Sequence, residues 1–454
     1  MSDIIKVNLI GGSINFSQLR SLCLLLNHKG IEKISFSQRQ EILINVPKKT
    51  NIDDLKKEIN IKLPELVIAN SPNIISSLIA SNNTNINSWI GDDVFWEIFD
   101  NQNNFIPLAS VSIVHKFQNF VPLMTSKVNF VSSSIQNYWH ILTNFVEPKW
   151  MNTIIHSQSI FLFLEKLQLA RSYPNNGYDE KHLYKVLKEF PEIKIKKSSN
   201  NPKLEQTLPK LEGFHSLSDK TYLGIFNKHN QYSVLFLEEL ASISKQYSSN
   251  QLFVTPYSSI LINNIGKEYL HSLRQLLKKY NINLRHTHSE LFWQIDNTDK
   301  NSIWLKSQIS QRLNNTELNL DGISLGIETS SFKPISNVIF KLDKGGLFKK
   351  YSIYIKDYLN QNSFFNQPFR LNLTLKEICY QLKDLNQVPT VIKKNSVKVL
   401  DTASISGKNN YQCKSCLTQY IEEFGDPRQN IKAGTLYKEL PKSYRCNICG
   451  EPLN

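Results

Sequence analysis

The hydrophobic and polar positions of the chain fall into two matching patterns. Leu19, Leu22, Cys23 and Leu26 recur at helical spacing, and the same spacing returns in Leu237, Leu240, Ala241 and Ser244. Each set predicts an amphipathic helix. After the first helix, Ile34 and Phe36 alternate with polar residues, and Ile42-Leu43-Ile44 forms a short apolar run, so two strands joined by a turn follow. A second helix closes each unit, around Ile52 to Ile59 and around Tyr269 to Leu277. Residues 16–60 and 234–278 align without a gap at an offset of 218, and Ile42-Leu43-Ile44-Asn45 is repeated as Ile260-Leu261-Ile262-Asn263. A βαββα half-unit cannot bury both faces of its sheet alone, so the two copies are expected to pack together or against the segments between them.

Those segments, 66–215 and 297–395, contain strand-like pieces at Lys127 to Val131 and at Tyr351 to Ile355. Lys194 to Lys203 and the Asn- and Ser-rich stretch from Ser81 to Ser88 read as loops, and Val388 to Asn410 as an extended linker. Gly11-Gly12 and Gly345-Gly346 read as turns, since neither belongs to a phosphate-binding glycine pattern. His286-Thr287-His288 places two imidazoles on one face of an expected strand, without a third ligand nearby.

Composition is that of a globular protein: 454 residues, 41% hydrophobic and 20% charged, a length that suggests two to four domains. No apolar run reaches the length of a membrane span, and the first residues show neither a basic nor an apolar signal region. The cytoplasm is the expected compartment, where CxxC pairs more often hold a metal than form disulfides. The net charge of +14 fits an acidic partner, an anionic ligand or nucleic acid. The lysines are scattered or paired and no helix-turn-helix, zinc-finger or RNA-recognition pattern accompanies them, so a solvated basic surface is expected and nucleic acid is not. No Ser/His/Asp or Cys/His constellation for nucleophilic catalysis is visible.

Four of the six cysteines lie in the last 42 residues, as Cys413-x-x-Cys416 and Cys446-x-x-Cys449. Four thiolates so spaced make a tetrahedral site that accepts zinc or iron, and spacing does not choose between them. The residues around the pairs go further. Tyr411, Tyr420, Gly425-Asp426-Pro427, Ile431-x-Ala433-Gly434-Thr435-x-Tyr437, Leu440-Pro441 and Tyr444, with Gly450 after the last cysteine, make 409–454 resemble a rubredoxin. That resemblance implies one iron held by Cys413, Cys416, Cys446 and Cys449, cycling between Fe(III) and Fe(II), with the four tyrosines in the small core. The segment departs from the family in Leu417-Thr418 where Gly-Tyr is usual, in Tyr444 where Trp is usual, and in charge. From Lys408 to Asn454 there are seven Lys/Arg against five Asp/Glu, whereas rubredoxins are commonly acidic, so a different docking partner is expected. The competing reading is a structural zinc ribbon.

The order half-unit, insert, half-unit, insert resembles the sirohaem-dependent nitrite and sulfite reductases. The resemblance is carried by Ile10-Gly11-Gly12-Ser13, by the Leu19/Leu22 helix, and by Ser37-Gln38-Arg39-Gln40-Glu41-Ile42, which is similar to the family's Thr-x-Arg-Gln strand. It implies an anion or sirohaem contact for Arg39, where the second copy has Tyr257. The family's [4Fe-4S] cluster needs four cysteines, spaced C-x5-C and C-x3-C, and the body offers only Cys23 and Cys379, each within a helical apolar pattern. Sirohaem and [4Fe-4S] are therefore not expected.

The expected fold is α+β, a duplicated ferredoxin-like, sirohaem-reductase-like body with a small C-terminal rubredoxin-like metal domain. Its parts are half-domains at 1–65 and 216–296, inserts at 66–215 and 297–395, a linker at 396–408 and the metal domain at 409–454. The expected function is one-electron transfer, with the body as docking scaffold between a redox protein donor and an acceptor enzyme of nitrate, nitrite or sulfite metabolism. The alternatives are a sirohaem reductase with a built-in electron donor and a zinc-stabilised interaction protein.

Overall fold

The computed structural model describes residues 3–68, 71–81, 89–102, 105–116, 126–145, 149–170, 180–198, 202, 210–217, 220–244, 251–313, 323–330, 332–334, 336–343, 350–356 and 366–381, and in the tail 411–412, 419–420, 426, 429–432 and 434–445. The expected loop at Ser81 to Ser88, apart from Ser81, the Gly345-Gly346 turn and the whole of the linker fall outside these residues. The chain divides into two compact units, Met1–Val399 and Leu400–Asn454.

The body begins with β1 (Asp3–Asn8), β2 (Ser13–Asn15), α1 (Phe16–His28), β3 (Lys33–Phe36), β4 (Glu41–Val46), α2 (Ile52–Lys62) and β5 (Val67–Ile68). α1 starts where it does because Asn15 and Gln18 form a reciprocal cap: Asn15 Oδ1 accepts the Gln18 N–H at 2.8 Å and Gln18 Oε1 accepts the Asn15 N–H at 3.2 Å. The first insert comprises β6 (Ile74–Ser76), α3 (Leu78–Ser81), α4 (Asp92–Asp100), β7 (Val111–Val114), β8 (Val128–Ser132), β9 (Tyr138–Thr143), β10 (Lys149–His156), α5 (Ile160–Ala170), α6 (Glu180–Glu189) and β11 (Ile195–Lys197). β11 lies within the stretch read as a loop. It pairs antiparallel with β10 as an edge strand whose residues are all exposed, and its lysines hide the apolar pattern that marks a strand in sequence.

The second half-unit is β12 (Gly213–Leu217), β13 (Lys220–Ile225), β14 (Tyr232–Ser233), α7 (Val234–Ser244), β15 (Gln251–Val254), β16 (Ile260–Ile265), α8 (Leu270–Lys279) and α9 (His288–Leu291). The second insert is β17 (Trp293–Gln294), α10 (Lys300–Leu313), β18 (Leu325–Glu328), β19 (Val338–Leu342), β20 (Tyr351–Lys356), β21 (Asn366–Leu373) and α11 (Leu375–Gln381).

The repeat at an offset of 218 residues is carried into three dimensions as an exchange. β2 of the first half-unit pairs with β15 of the second (Ile14 opposite Leu252), while β14 of the second pairs with β3 of the first (Tyr232 opposite Ile34). Each copy thus lends its partner an edge strand, and α1 packs against α7 between the two sheets. Leu19, Leu22, Cys23 and Leu26 share one core with Leu237, Leu240 and Ala241, all fully buried. Each such leucine contributes on the order of 2 kcal/mol.

The other face of the second half-unit's sheet is covered by the first insert. Along β15, Leu252 and Val254 enter the shared core while Phe253 enters the insert's core; along β16, Ile260 and Ile262 face one way and Leu261 the other. The inserts are themselves a repeat. β6, β7 and β8 run parallel and continue into antiparallel β9 and β10; β17, β18 and β19 run parallel and continue into antiparallel β20 and β21. The duplication therefore extends beyond the half-units in which the sequence shows it.

The tail contains β22 (Tyr411–Gln412) and β23 (Gln419–Tyr420), paired antiparallel, with a small core of Tyr420, Ile431 and Tyr444 against which Tyr437 and Leu440 pack. Among the described residues no helix is long and apolar enough to cross a membrane.

Candidate metal centre

The four cysteines of the tail lie outside the described residues, but the segments that lead into them are described. β22 and β23 pair Gln412 with Gln419 and Tyr411 with Tyr420, so the residues flanking Cys413 to Cys416 are held side by side. The segment before Cys446 is fixed by a buried carboxylate. Asp426 Oδ2 accepts the Tyr444 hydroxyl at 3.1 Å and Gln429 Nε2 at 3.0 Å. Gln429 in turn grips Arg445 from both sides: its Oε1 accepts the Arg445 N–H at 3.1 Å and its Nε2 donates to the Arg445 carbonyl at 2.7 Å. Asp426 also forms a bridge with Ile431, which sits in the core beside Tyr444.

Of the four tyrosines expected to build this core, Tyr420 and Tyr444 are buried with their rings 5.5 Å apart edge-to-face, and Tyr437 packs 6.2 Å from Tyr420. The Tyr420 hydroxyl donates to the Thr435 carbonyl at 2.9 Å. The side chain of Tyr411 is not described. The sequence offers Asp426 only as part of the Gly425-Asp426-Pro427 match and does not mark Gln429; the structure joins both to Tyr444 and Arg445. The signal available was an acid within reach of a core tyrosine, and it became legible only when the fold brought positions 426 and 444 together. Asp426→Ala removes the acceptor of two hydrogen bonds. It is expected to cost about 1–3 kcal/mol and to quicken metal release to a chelator several-fold, with release followed by absorbance.

The donor set fits a tetrahedral thiophilic metal, since four thiolates suit iron or zinc and the residues on either side of the first pair, and those leading into the second, are held in place. Iron bound there would supply a one-electron couple, and Cys413, Cys416, Cys446 and Cys449 would hold it.

In the body, Arg39 sits in the turn between β3 and β4. Its Nη1 donates to Ser126 Oγ at 2.7 Å, and its Nη2 donates to the Val111 carbonyl at 3.1 Å and to the Asn73 carbonyl. Its Nε is buried without a partner. Burial pulls its pKa down to about 10, with Glu41 working the other way. The guanidinium is thus spent on neutral oxygens of the first insert and ties that insert to the first half-unit. Tyr257, at the equivalent place in the second copy, is buried, faces Phe292 and hydrogen-bonds Gln294.

Around these two residues the turns superimpose in detail. Ser37 N–H reaches the Glu41 carbonyl and Thr255 N–H reaches the Ser259 carbonyl, and the last turn residues, Gln40 at φ 57° and Ser258 at φ 61°, are both left-handed. The Gln40 side chain explains why strain is tolerated: Nε2 donates to the carbonyls of Ser76 and Val254, and Oε1 accepts the Ser76 N–H at 2.8 Å. Gly12, itself at φ 71°, leaves the space this side chain occupies.

The other candidates separate. Cys23 is buried on α1, its thiol pushed up by burial and by Glu238, while Cys379 falls in α11. His286 is not on a strand as expected. It follows α8 in a loop, with Nδ1 3.0 Å from Glu212 Oε2 and its ring against Phe226, and His288 opens α9. The strand expectation fails because Glu212 holds both the His286 ring and its N–H, drawing the backbone out of extended pairing.

These features define a four-cysteine metal domain carried on a large duplicated α+β body. The rubredoxin family model matches residues 410–454. The chain is 35% identical over 48 residues to a probable rubredoxin of Methanothermobacter thermautotrophicus, covering 76% of that protein and 11% of this chain. It is 36% identical over 45 residues to a rubredoxin of Synechocystis sp., of which the chain spans 39%, the match being 10% of this chain. Through these residues the chain belongs to the rubredoxin family, whose members are iron electron carriers. The fold as a whole is similar to the solved structure of Mycobacterium tuberculosis NirA, with a TM-score of 0.64 at 14% identity, covering 87% of this chain and 82% of that one. The NirA-like fold agrees with the reductase-like outline expected for the body.

Proposed function

We propose that the chain is a one-electron carrier whose redox centre is a single iron held by Cys413, Cys416, Cys446 and Cys449, with the NirA-like body as a docking scaffold without its own redox cofactor. The observation that carries this reading is a complete set of four cysteines in a segment of the rubredoxin family, with the residues on either side of the first pair joined in β22 and β23 and those leading into the second held by Asp426 and Gln429. Electron transfer at such a site breaks no bond, so the protein's task is to hold the ligands, tune the potential and present the site to partners. The scaffold role of the body is supported by its cysteine count. Cys23 and Cys379 stand on α1 and α11, Cys23 is buried with a thiol that resists ionisation, and two thiols do not replace the four a cluster requires. The division of the body into two half-domains and two inserts, the linker at 396–408 and a cytoplasmic location are part of the same proposal, as are a redox protein donor and an acceptor enzyme of nitrate, nitrite or sulfite metabolism.

The extent of the NirA-like fold favours one second reading, an active sirohaem reductase fed by its own tail. Chain purified from cells that make sirohaem separates the two: the scaffold reading expects iron, no Soret band and no nitrite- or sulfite-dependent oxidation of a reduced dye. A stoichiometric tetrapyrrole with that oxidation establishes the reductase.

A further inference from the structure

A cleft of about 410 Å³, its open mouth included, lies between the first half-unit and the first insert. Its walls are fixed by contacts already made. Asn73 Nδ2 donates to the carbonyls of Leu9 and Arg39 at 3.0 Å and of Gln40 at 3.1 Å. Gln102 and Phe105 close a turn on each other, with the Phe105 N–H on the Gln102 carbonyl at 2.7 Å and Gln102 Nε2 on the Phe105 carbonyl at 3.0 Å. Phe99 packs on Gly11, where an added Cβ would come within 3.1 Å of its ring. Among the described residues no charged side chain lines the cleft. Phe99, Phe105, Pro72 and Pro107 offer it flat apolar surface. Two oxygens of lining residues, Asn8 Oδ1 and Ser71 Oγ, are buried without a hydrogen-bond partner, an uncommon state for a polar atom in a folded protein.

The fold does not require this opening. At the offset of 218, Asn8 corresponds to Phe226 and Ile10 to Lys228. Phe226 is buried, with the His286 ring against it and Lys306 Nζ of α10 5.5 Å from its centre, and Lys228 pairs with Glu290 at 2.5 Å. The second copy thus sets an aromatic ring and an ion pair at the positions where the first copy keeps a neutral cleft.

We propose that this cleft binds a small neutral aromatic molecule carrying an N–H or O–H donor, with its ring among Phe99, Phe105, Pro72 and Pro107 and its donor on Asn8 Oδ1 or Ser71 Oγ. Three features of the lining select that class. A charged ligand would give up hydration and find no opposite charge among the described lining residues. A purely apolar ligand would leave both oxygens unpartnered. A ring suits the space, since the second copy fills the corresponding position with the ring of Phe226. The site gives the body a ligand of its own and does not depend on the metal in the tail.

The test uses the full chain with benzamide as the probe, and reads binding by saturation-transfer NMR. Benzamide is expected to bind with a Kd of about 1 mM or tighter, within what a fragment of its size achieves. Benzoate, similar in shape but charged, and toluene, which has no donor, are each expected to bind at least about 10-fold more weakly. Asn8→Phe, which copies the second half-unit, is expected to abolish benzamide binding while the circular dichroism spectrum and the urea transition stay unchanged. Ser71→Ala is expected to weaken it several-fold. Absence of benzamide binding to the unaltered chain, or binding that persists in a folded Asn8→Phe chain, overturns the site. Benzoate or toluene binding as tightly as benzamide overturns the neutral, donor-bearing class. If Asn8→Phe does not fold, Ser71→Ala and the ratio of benzamide to toluene affinity decide in its place: benzamide binding unchanged by Ser71→Ala and matched by toluene overturns the proposal.

Discussion

Lowering the pH from 7 to 4 is expected to remove about 6 kcal/mol of stability from the body through two histidines. His115 follows β7 and His140 lies on β9, both are buried, and the pKa of each is pushed down to about 4, first by burial and then by Lys116. In the unfolded chain both titrate near the ordinary value of about 6.5. Between about pH 6.5 and pH 4 the unfolded state therefore binds more protons than the folded one, and stability falls as the pH falls. Above that window both states hold neutral imidazoles and the full stability is present; below it the loss is complete. A shift of this size is about 3 kcal/mol per histidine, so the pair removes a large share of an ordinary folding free energy of about 5–15 kcal/mol. Urea unfolding followed by circular dichroism at stepped pH values measures it. The His115→Gln/His140→Gln double variant should lose most of the acid sensitivity, and an undiminished acid loss in that variant contradicts the assignment.

Replacing one cysteine ligand is expected to do more to the tail than any other single change. The tail's described core amounts to Tyr420, Ile431 and Tyr444, with Tyr437 and Leu440 against it. A domain of under about 50 residues with so small a core depends on its metal, and structural zinc sites of this kind bind with about 10–16 kcal/mol that is also folding energy. Cys446→Ser should abolish iron retention and open the tail to limited proteolysis. The urea transition of the body should stay where it was, because residues 1–399 form a separate compact unit. Iron analysis and mass-mapped proteolysis together check this. A Cys446→Ser chain that keeps one iron and a protected tail rules out Cys446 as a ligand.

The legible parts of this molecule were those in which local pattern and tertiary demand coincide. The α1 and α7 helices could be read because each needs one apolar stripe and both stripes meet in one core. The exchange of β2 and β14 could not be read, since a short strand such as Ser13-Ile14-Asn15 carries no mark of which sheet completes it. The duplication of the inserts was hidden for a different reason. Fully buried strands such as Val128 to Ser132 accept many combinations of aliphatic residues, and insertions between them destroy any gapless register.

Arg39 lies within reach of the Ser126 hydroxyl and the Val111 and Asn73 carbonyls, partners on a distant segment that its Ser-Gln-Arg-Gln motif does not announce. The four cysteines were the clearest feature of the sequence because metal ligation is encoded in residue type and spacing. The Asp426–Gln429 support behind them was not, because hydrogen-bond partners across a fold leave no periodic trace.

The central claim is that this chain carries one electron on one iron. Reductive titration of the iron-replete full chain with dithionite, followed from the ultraviolet to the visible, tests it most directly. A red oxidised protein that bleaches with one electron per chain, without a Soret band at any stage, is the predicted result. A colourless chain containing zinc under iron-replete expression, or one that takes up further electrons as a tetrapyrrole band changes, contradicts it.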